Sequence, residues 1–166
     1  MWIVIKYKRN EQNFLINELR EKFGGELKHY IPQISLNYFV KNRVKNTKKP
    51  LLGDYMFCYH SKFVDQKYLK ILNFTKGVKK VLNDFLNSQE EINFFVNKCL
   101  TYENGKGCLT QDFFDFKNNN TFKFCSGPFT NMVFDIIKRE NRAKLKCLLG
   151  NFKLTITGKH NLYFPA

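Results

Sequence analysis

Residues 2–25 have the sequence WIVIKYKRNEQNFLINELREKFGG, in which a strand pattern is followed by a helix pattern. The β-branched and aromatic residues at its start are typical of a strand. Apolar residues then recur at Ile16, Leu19 and Phe23, which is the spacing of one helix face, and Asn10 is the predicted N-cap. Two consecutive glycines end the helix. This stretch predicts a strand and an amphipathic helix, the beginning of an α+β unit.

Strand and helix patterns alternate through the rest of the first hundred residues. Residues 34–49 alternate in polarity and are rich in Lys and Arg, which indicates an exposed basic hairpin or loop. The order of the elements predicts a ferredoxin-like α/β sandwich over residues 1–100. The further predicted elements are strands over 27–31, 55–59 and 78–82, a helix over 65–72, and a helix that begins at the capping box Ser88-x-x-Glu91.

Residues 101–120 are predicted as a linker because they are rich in Asn and Gly. Three phenylalanines in this segment, Phe113, Phe114 and Phe116, are too apolar for a simple spacer. They indicate that part of the segment packs against a neighbouring domain.

The C-terminal residues 121–166 have short strand patterns separated by turn residues and are predicted to form a small β-barrel. An α-helical hairpin is the alternative, because residues 132–139 and 143–149 also fit two amphipathic helices. The β-branched residues of these segments favour strands. The predicted strands are 122–124, 133–137, 145–149 and 154–157.

The charge balance indicates a polyanionic partner. The chain has 28 Lys and Arg against 14 Asp and Glu, a net charge of +14, which favours DNA, RNA or an acidic protein surface. A compositional bias towards Lys and Asn is the alternative explanation. The five cysteines form no CxxC pair, and the apolar N-terminal run is too short for a signal peptide or a membrane span. We therefore expect a cytoplasmic protein with reduced thiols and no membrane association.

The sequence contains no recognisable catalytic constellation. Cys58 and His60 share a strand face, but no third partner is evident, and the acids Glu90 and Glu91 suit the first turn of a helix. The sequence has no P-loop and no GxGxxG fingerprint. We expect a protein that is not an enzyme and that needs no cofactor or metal.

Four motifs, taken in chain order, resemble those of NusG-type transcription elongation factors. The first three resemble the family's N-terminal NGN domain, and the fourth resembles the glycine-containing loop of its KOW domain. The length of segment 32–50 is similar to that of the hairpin in RfaH, the specialised branch that the chain resembles most. The motifs are Trp2-Ile3-Val4, the run PLLGDYMF at residues 50–57, Thr75-Lys76-Gly77-Val78 and the loop Gly127-Pro128-Phe129.

The resemblance implies both a fold and a function. It implies an NGN-like polymerase-binding domain over 1–100, a linker over 101–120 and a KOW-like domain over 121–166. The implied function is that of a monomeric, operon-specific elongation factor, which binds RNA polymerase and suppresses pausing and termination. Its implied partners are the clamp coiled coil of the largest polymerase subunit, the non-template DNA strand and, through the KOW domain, a small-subunit ribosomal protein or Rho. The runner-up is a ribosome-associated KOW protein that binds RNA.

The resemblance also implies two groups of site residues. The polymerase-binding patch would comprise Tyr7, Leu52, Tyr55 and Phe57, although Tyr55 and Phe57 also fit a central strand's core. The cations that would face the non-template strand, or form a solvated basic surface without a partner, are Lys8, Arg9, Lys41, Arg43 and Lys76.

The sequence departs from the family pattern at several of these positions. Leu52 replaces an aromatic residue, and Asn131 lies near the position of a second loop glycine. Phe14 and Glu18 occur where the family has basic or polar side chains that face DNA. These departures indicate a divergent paralogue with altered partner surfaces.

Overall fold

The computed structural model describes residues 1–40, 43–114, 121–127, 129–141, 144–150, 152–157 and 162–166. Within these ranges the α+β class predicted from the sequence is confirmed. The helices are α1 (Gln12–Phe23), α2 (Gln66–Asn73) and α3 (Gln89–Thr101). The strands are β1 (Trp2–Tyr7), β2 (Lys28–Tyr30), β3 (Gln33–Val40), β4 (Arg43–Pro50), β5 (Tyr55–Tyr59), β6 (Val78–Val81), β7 (Thr121–Phe124), β8 (Val133–Asn141), β9 (Lys144–Leu149), β10 (Phe152–Thr157) and β11 (Tyr163–Pro165).

The chain divides into two compact units. Unit 1 comprises Met1–Gln33 and Pro50–Thr101, and unit 2 comprises Ile34–Lys49 and Tyr102–Ala166. The β3–β4 hairpin, which lies within the range predicted as the first domain, therefore makes its contacts in unit 2.

Unit 1 is built on a four-stranded antiparallel sheet with the order β2-β5-β1-β6. Helix α1 connects β1 to β2, and α2 connects β5 to β6. Without the hairpin, this is the β-α-β-β-α-β order of the ferredoxin-like motif. Strands β1 and β5 occupy the centre because they are the most apolar of the four.

The main core of unit 1 lies on one face of this sheet. Side chains of a strand alternate between its two faces, so Ile3 and Ile5 point to the same side and are fully buried. Leu15 and Leu19 of α1 and Leu72 of α2 cover them. Helix α3 packs on the opposite face through Ile92 and Val96. Burial of each of these side chains contributes about 1.5–3 kcal/mol.

The helix ends in unit 1 match the sequence predictions in part. Asp65 is the N-cap of α2, and its Oδ1 accepts a hydrogen bond from the Lys67 backbone N at 2.8 Å. The predicted N-cap of α1, Asn10, is wrong. A 3₁₀ turn over Arg9–Glu11 includes Asn10, and α1 begins only at Gln12. The turn is closed by a 2.9 Å bond from the Glu11 backbone N to the Lys8 carbonyl, and the Lys8 backbone N is itself bonded to the Gly77 carbonyl at 2.8 Å.

Unit 2 contains a five-stranded antiparallel sheet with the order β10-β9-β8-β7-β11. The four predicted strands are confirmed, β11 was not predicted, and the alternative helical hairpin is wrong. In β7, residues 122 and 124 are buried and 121 and 123 are exposed, the period of two that a strand requires. The buried cluster of this sheet consists of Phe122, Phe124, Phe134, Leu145 and Cys147.

The first part of the predicted linker is folded within unit 2. Residues 111–114 form a 3₁₀ turn in which Phe113 and Phe114 are buried, and the Phe114 ring lies 4.2 Å from that of Phe164. Leu109 is also buried and bridges to Ile34 of β3. The apolar side chains account for this packing. Phe116 and the other residues of 115–120 lie outside the described residues.

Candidate functional site

The residues of the predicted polymerase patch that belong to strands lie on different faces of the unit 1 sheet. In the β1–β5 ladder, Val4 is opposite Phe57 and Lys6 is opposite Tyr55. Paired residues of an antiparallel ladder share a face, so Tyr55 and Phe57 lie on the face of Val4 and Lys6. Tyr7, one residue further along β1, points to the other face. The structure therefore brings Tyr55 and Phe57 together but does not bring Tyr7 to them.

Tyr7 belongs to the main core of unit 1. Its side chain is fully buried, and its hydroxyl donates a hydrogen bond to Gln12 Oε1 at 3.1 Å. Burial, together with the negative charge of Asp54, raises the pKa of this phenol above its ordinary value.

Phe57 lies between the sheet and α3. Its ring centroid is 5.5 Å from that of Phe95, and Ile92 and Val96 complete the cluster around it. Helix α3 is held there by Gln89, whose side-chain amide accepts a bond from the Trp2 backbone N at 2.9 Å and donates one to the Trp2 carbonyl at 2.8 Å. Phe57 is thus covered within unit 1.

Leu52 and Tyr55 are the accessible members of the predicted patch. Leu52 lies in the turn before β5 and is 37% exposed, and Tyr55 is half-buried at the beginning of that strand. The Lys6 ammonium lies 5.6 Å from the centroid of the Tyr55 ring, within the range of a cation–π contact. Together they present an apolar, aromatic surface next to a positive charge.

Three of the predicted DNA-facing cations are close together at one end of the unit 1 sheet. Lys8, Arg9 and Lys76 belong to the segments that follow β1 and precede β6, and the Lys8 N–Gly77 O hydrogen bond of 2.8 Å joins these segments. Lys79 of β6 and Arg9 both contact the carboxylate of Asp54. We call Lys8, Arg9, Lys76 and Lys79 the basic cluster.

Acidic side chains hold part of the basic cluster in place. Asp54 contacts Arg9 Nε at 3.1 Å and Lys79 Nζ at 3.5 Å, and Glu11 lies 3.6 Å from Lys8 Nζ. These ion pairs are partly exposed, so each contributes little stability. Four cations against two carboxylates leave a positive surface that can attract a phosphate backbone.

Phe14 adds an aromatic ring to this surface. The ring is 43% exposed, and the Lys76 ammonium lies 4.9 Å from its centroid. An exposed ring beside cations is the combination on which unpaired bases stack. The sequence indicated Phe14 only as a departure from the family pattern, and Lys79 was not among the predicted cations. The pair Lys79-Lys80 in a predicted strand was an available signal, since edge strands often carry lysines.

The remaining predicted cations belong to the β3–β4 hairpin. Arg43 is exposed at the beginning of β4, in unit 2. Lys41 lies outside the described residues.

The predicted KOW loop connects β7 to β8. Gly127 has a φ of 84° and Asn131 a φ of 71°, both in the left-handed region that favours glycine. Asn tolerates this conformation better than most residues other than glycine, which explains why it is accommodated at this turn. Phe129 packs against Phe124 at 5.8 Å between ring centroids. Pro128 lies outside the described residues.

Within the described ranges, no group of three or more His, Cys, Asp or Glu side chains is arranged to hold a metal ion. A search of the same ranges finds no helix that is both long and apolar enough to span a membrane.

No protein-family model matches the chain, and no curated protein matches it. One solved structure to which the chain is similar is titled "Crystal Structure of MjSpt4:Spt5 complex conformation B". The sequence identity is 11%, the match covers 100% of this chain and 98% of that one, and the TM-score is 0.35. A TM-score this low carries no argument about function.

Proposed function

We propose that the chain is a transcription elongation factor of the NusG type that binds RNA polymerase and reduces pausing and termination. The observation that carries the proposal is the pairing of two folds. One is a βαββαβ sheet with an additional helix, and the other is a five-stranded antiparallel sheet with a glycine loop between β7 and β8. The sequence motifs imply an NGN and a KOW module in the same order. The net charge of +14 supports a partner rich in phosphate.

The proposed activity consists of binding alone, without catalysis, a cofactor or a metal. A factor that binds the elongating conformation of the polymerase more tightly than the paused conformation shifts the population towards elongation. The differential affinity sets the size of the shift.

The proposed polymerase contact uses the accessible part of the predicted patch. Leu52 and Tyr55 would contact the clamp coiled coil, because a partly exposed aromatic ring can bury a large area at low entropic cost. Tyr7 and Phe57 would not contact the polymerase. They would stabilise the strands that carry this surface, Tyr7 in the main core and Phe57 in the cluster under α3.

The proposed DNA contact uses the basic cluster and Phe14. Cations would neutralise phosphates of the non-template strand while Phe14 stacks on a base. Arg43 and Lys41 of the hairpin would add further contacts. We also propose the specialised, operon-specific role of the RfaH branch, with Rho or a small-subunit ribosomal protein as the partner of unit 2.

The test of the polymerase proposal is co-purification with RNA polymerase followed by a pause assay in vitro. Leu52→Ala combined with Tyr55→Ala should reduce polymerase binding at least tenfold, because hot-spot truncations typically cost more than about 1–2 kcal/mol. Phe94→Ala is a matched control, since Phe94 is an exposed aromatic residue of α3. Recovery of ribosomes without polymerase would contradict the proposal and favour the RNA-binding alternative.

The DNA contact is tested separately with single-stranded DNA. Arg9→Gln combined with Lys76→Gln should weaken binding. The slope of log affinity against log salt concentration should fall by about two, because two phosphate contacts are lost. Lys67→Gln with Lys70→Gln in α2 is the control that removes the same number of charges, because both lysines are exposed outside the basic cluster. An equal loss in the control would indicate a general charge effect.

A further inference from the structure

Unit 2 contains a cleft of about 690 Å³ between the β3–β4 hairpin and the loop 104–111. Its volume is within the range of about 300–1,000 Å³ that is typical of small-molecule sites. We call it the amide cleft because side-chain amides dominate its polar lining. The lining residues that matter for its chemistry are Ser35, Asn37, Asn46, Lys48, Asn104 and Lys106.

One wall of the amide cleft is a row of hydrogen-bonded side chains across the hairpin. Ser35 and Asn37 are two apart in β3 and share a face, while Ile34 and Leu36 on the other face are buried. Ser35 Oγ donates to Asn46 Oδ1 at 2.9 Å, and Asn46 Nδ2 donates to Asn37 Oδ1 at 3.0 Å. The bonds hold these groups in one arrangement.

The opposite wall of the amide cleft is the loop 104–111, which is also held by hydrogen bonds. Asn104 Oδ1 accepts bonds from the backbone N of Lys106 at 2.9 Å and of Cys108 at 3.1 Å, which closes the loop into a turn. Lys48 Nζ donates to the Lys106 carbonyl at 2.7 Å and so joins the hairpin to the loop. A site held by such bonds loses little entropy when a ligand binds.

The lining of the amide cleft is positively charged and has N–H groups that are free to donate hydrogen bonds to a ligand. Its described residues include Lys48 and Lys106 but no Asp or Glu. Lys48 has three N–H donors, of which one is used by the Lys106 carbonyl. Asn104 Nδ2 has no hydrogen-bond partner among the described residues. Leu109 and Leu162 supply apolar surface for a flat ring.

We propose that the amide cleft binds a nucleoside phosphate, either as a free nucleotide or as part of a single strand. The lysines would hold the phosphate. Asn104 would donate to the base edge through Nδ2, because its Oδ1 already accepts two backbone bonds. Asn46 would add a donor and an acceptor, because its Nδ2 and Oδ1 each use one of two hydrogen-bonding positions within the hairpin. None of the described residues that line the cleft is aromatic, so recognition relies on hydrogen bonds. Binding should therefore depend on the identity of the base.

The proposal is independent of the polymerase proposal. The amide cleft is formed within unit 2, whereas Leu52, Tyr55 and the basic cluster belong to unit 1. Either can fail while the other holds.

The test measures binding of the full chain to the four nucleoside monophosphates by calorimetry, and to labelled trinucleotides of each base by fluorescence anisotropy. Lys48→Gln should weaken binding about tenfold through the loss of a charged hydrogen bond, and lower the salt slope by about one. Asn46→Ala should reduce the preference between bases. Lys153→Gln is the control, because Lys153 is exposed on β10 and does not line the cleft.

The two arms identify the source of the ligand. Tight binding of monophosphates indicates a free nucleotide, and binding of trinucleotides alone indicates a strand. Photo-crosslinks from azido-nucleotides should map to the cleft-lining segments 35–37, 46–48 or 104–111. Crosslinks confined to 41–43 would report the proposed hairpin contact with DNA and would count against the cleft. The proposal is overturned by crosslinks confined to unit 1, by equal losses in Lys48→Gln and Lys153→Gln, by tighter binding of an acidic peptide, or by no binding at all. Circular dichroism of each variant verifies that it folds.

Discussion

The sheets of unit 1 and unit 2 bury their apolar residues in different ways. In unit 1, α1 and α2 cover one face of the sheet and α3 covers the other. In unit 2, no α-helix is present among the described residues, and the buried cluster is dominated by rings, with Phe124 and Phe134 stacked at 4.1 Å.

This difference shows how a small sheet compensates for the absence of helices. A phenylalanine buries more area than an aliphatic side chain, so three of them can form most of a core that otherwise needs several helical residues. The stability of unit 2 should therefore depend on a few aromatic side chains. Each ring of unit 2 should matter more than most single residues of unit 1, whose core is distributed over more side chains.

Phe124→Ala tests this dependence most directly. The change removes a fully buried ring from a cluster of five buried residues and should cost about 3–5 kcal/mol. The expected result is unfolding of unit 2 while unit 1 stays folded. The only tryptophan, Trp2, lies in unit 1, so its fluorescence follows that unit, and far-ultraviolet circular dichroism follows both.

Phe94→Ala serves as the control for loss of a ring, because that side chain is 71% exposed. It should change stability by less than about 0.5 kcal/mol. A Phe124→Ala variant in which the fluorescence and dichroism transitions shift together would show that the two units unfold as one.

Gln89→Ala tests how much the hydrogen bonds of Gln89 stabilise the packing of α3 on the unit 1 sheet. The substitution removes both hydrogen bonds to the Trp2 backbone and one to the Phe85 carbonyl, and should cost about 1–3 kcal/mol. Denaturant unfolding followed by Trp2 fluorescence measures it. The matched control is Asn93→Ala, an exposed position of α3, and similar losses from both variants would argue against a specific role of Gln89.

Asp65→Ala removes the side-chain cap of α2 and should cost about 1 kcal/mol. The effect should appear in the unfolding of unit 1 alone. Asp65→Asn retains a capping oxygen and should recover most of the stability. A full loss in the Asn variant would mean that charge, rather than the hydrogen bond, is responsible.

Asn131→Ala should have the smallest effect, a loss of at most about 1 kcal/mol from unit 2, because alanine adopts the left-handed conformation less readily than asparagine. Asn131→Gly should be neutral or slightly stabilising. Thermal unfolding of the two variants side by side measures the difference, and equal stability of the Ala and Gly variants would show that the turn relaxes.

Much of the local structure was predictable from the sequence. Strand β1, the helix that begins after Asp65 and the four C-terminal strands follow from periodicity and capping residues, which act over a few positions. The cap of α1 was wrongly predicted because a 3₁₀ turn over Arg9–Glu11 precedes the helix, and a bond to the distant Gly77 carbonyl fixes the backbone at Lys8, where that turn begins.

The structure brings together only some of the residues predicted for the polymerase patch, because long-range packing positions them. The spacing of Tyr55 and Phe57 predicts a shared strand face but not what covers that face, and in the structure α3 covers Phe57. Tyr7 was assigned to the same patch through the resemblance. Because side chains alternate between the faces of β1, Tyr7 lies instead in the main core, on the other side of the sheet.

The α+β class, the position of most elements and the strong positive charge could be predicted from the amino-acid sequence, because they depend on composition and on repeats of two or 3.6 residues. Tertiary structure decided which face each strand side chain occupies, how the cations gather around Asp54, and how segment 102–114 joins the hairpin to form the amide cleft. These features depend on contacts between residues that are far apart in the chain. Register and packing select such contacts, and no local pattern encodes them.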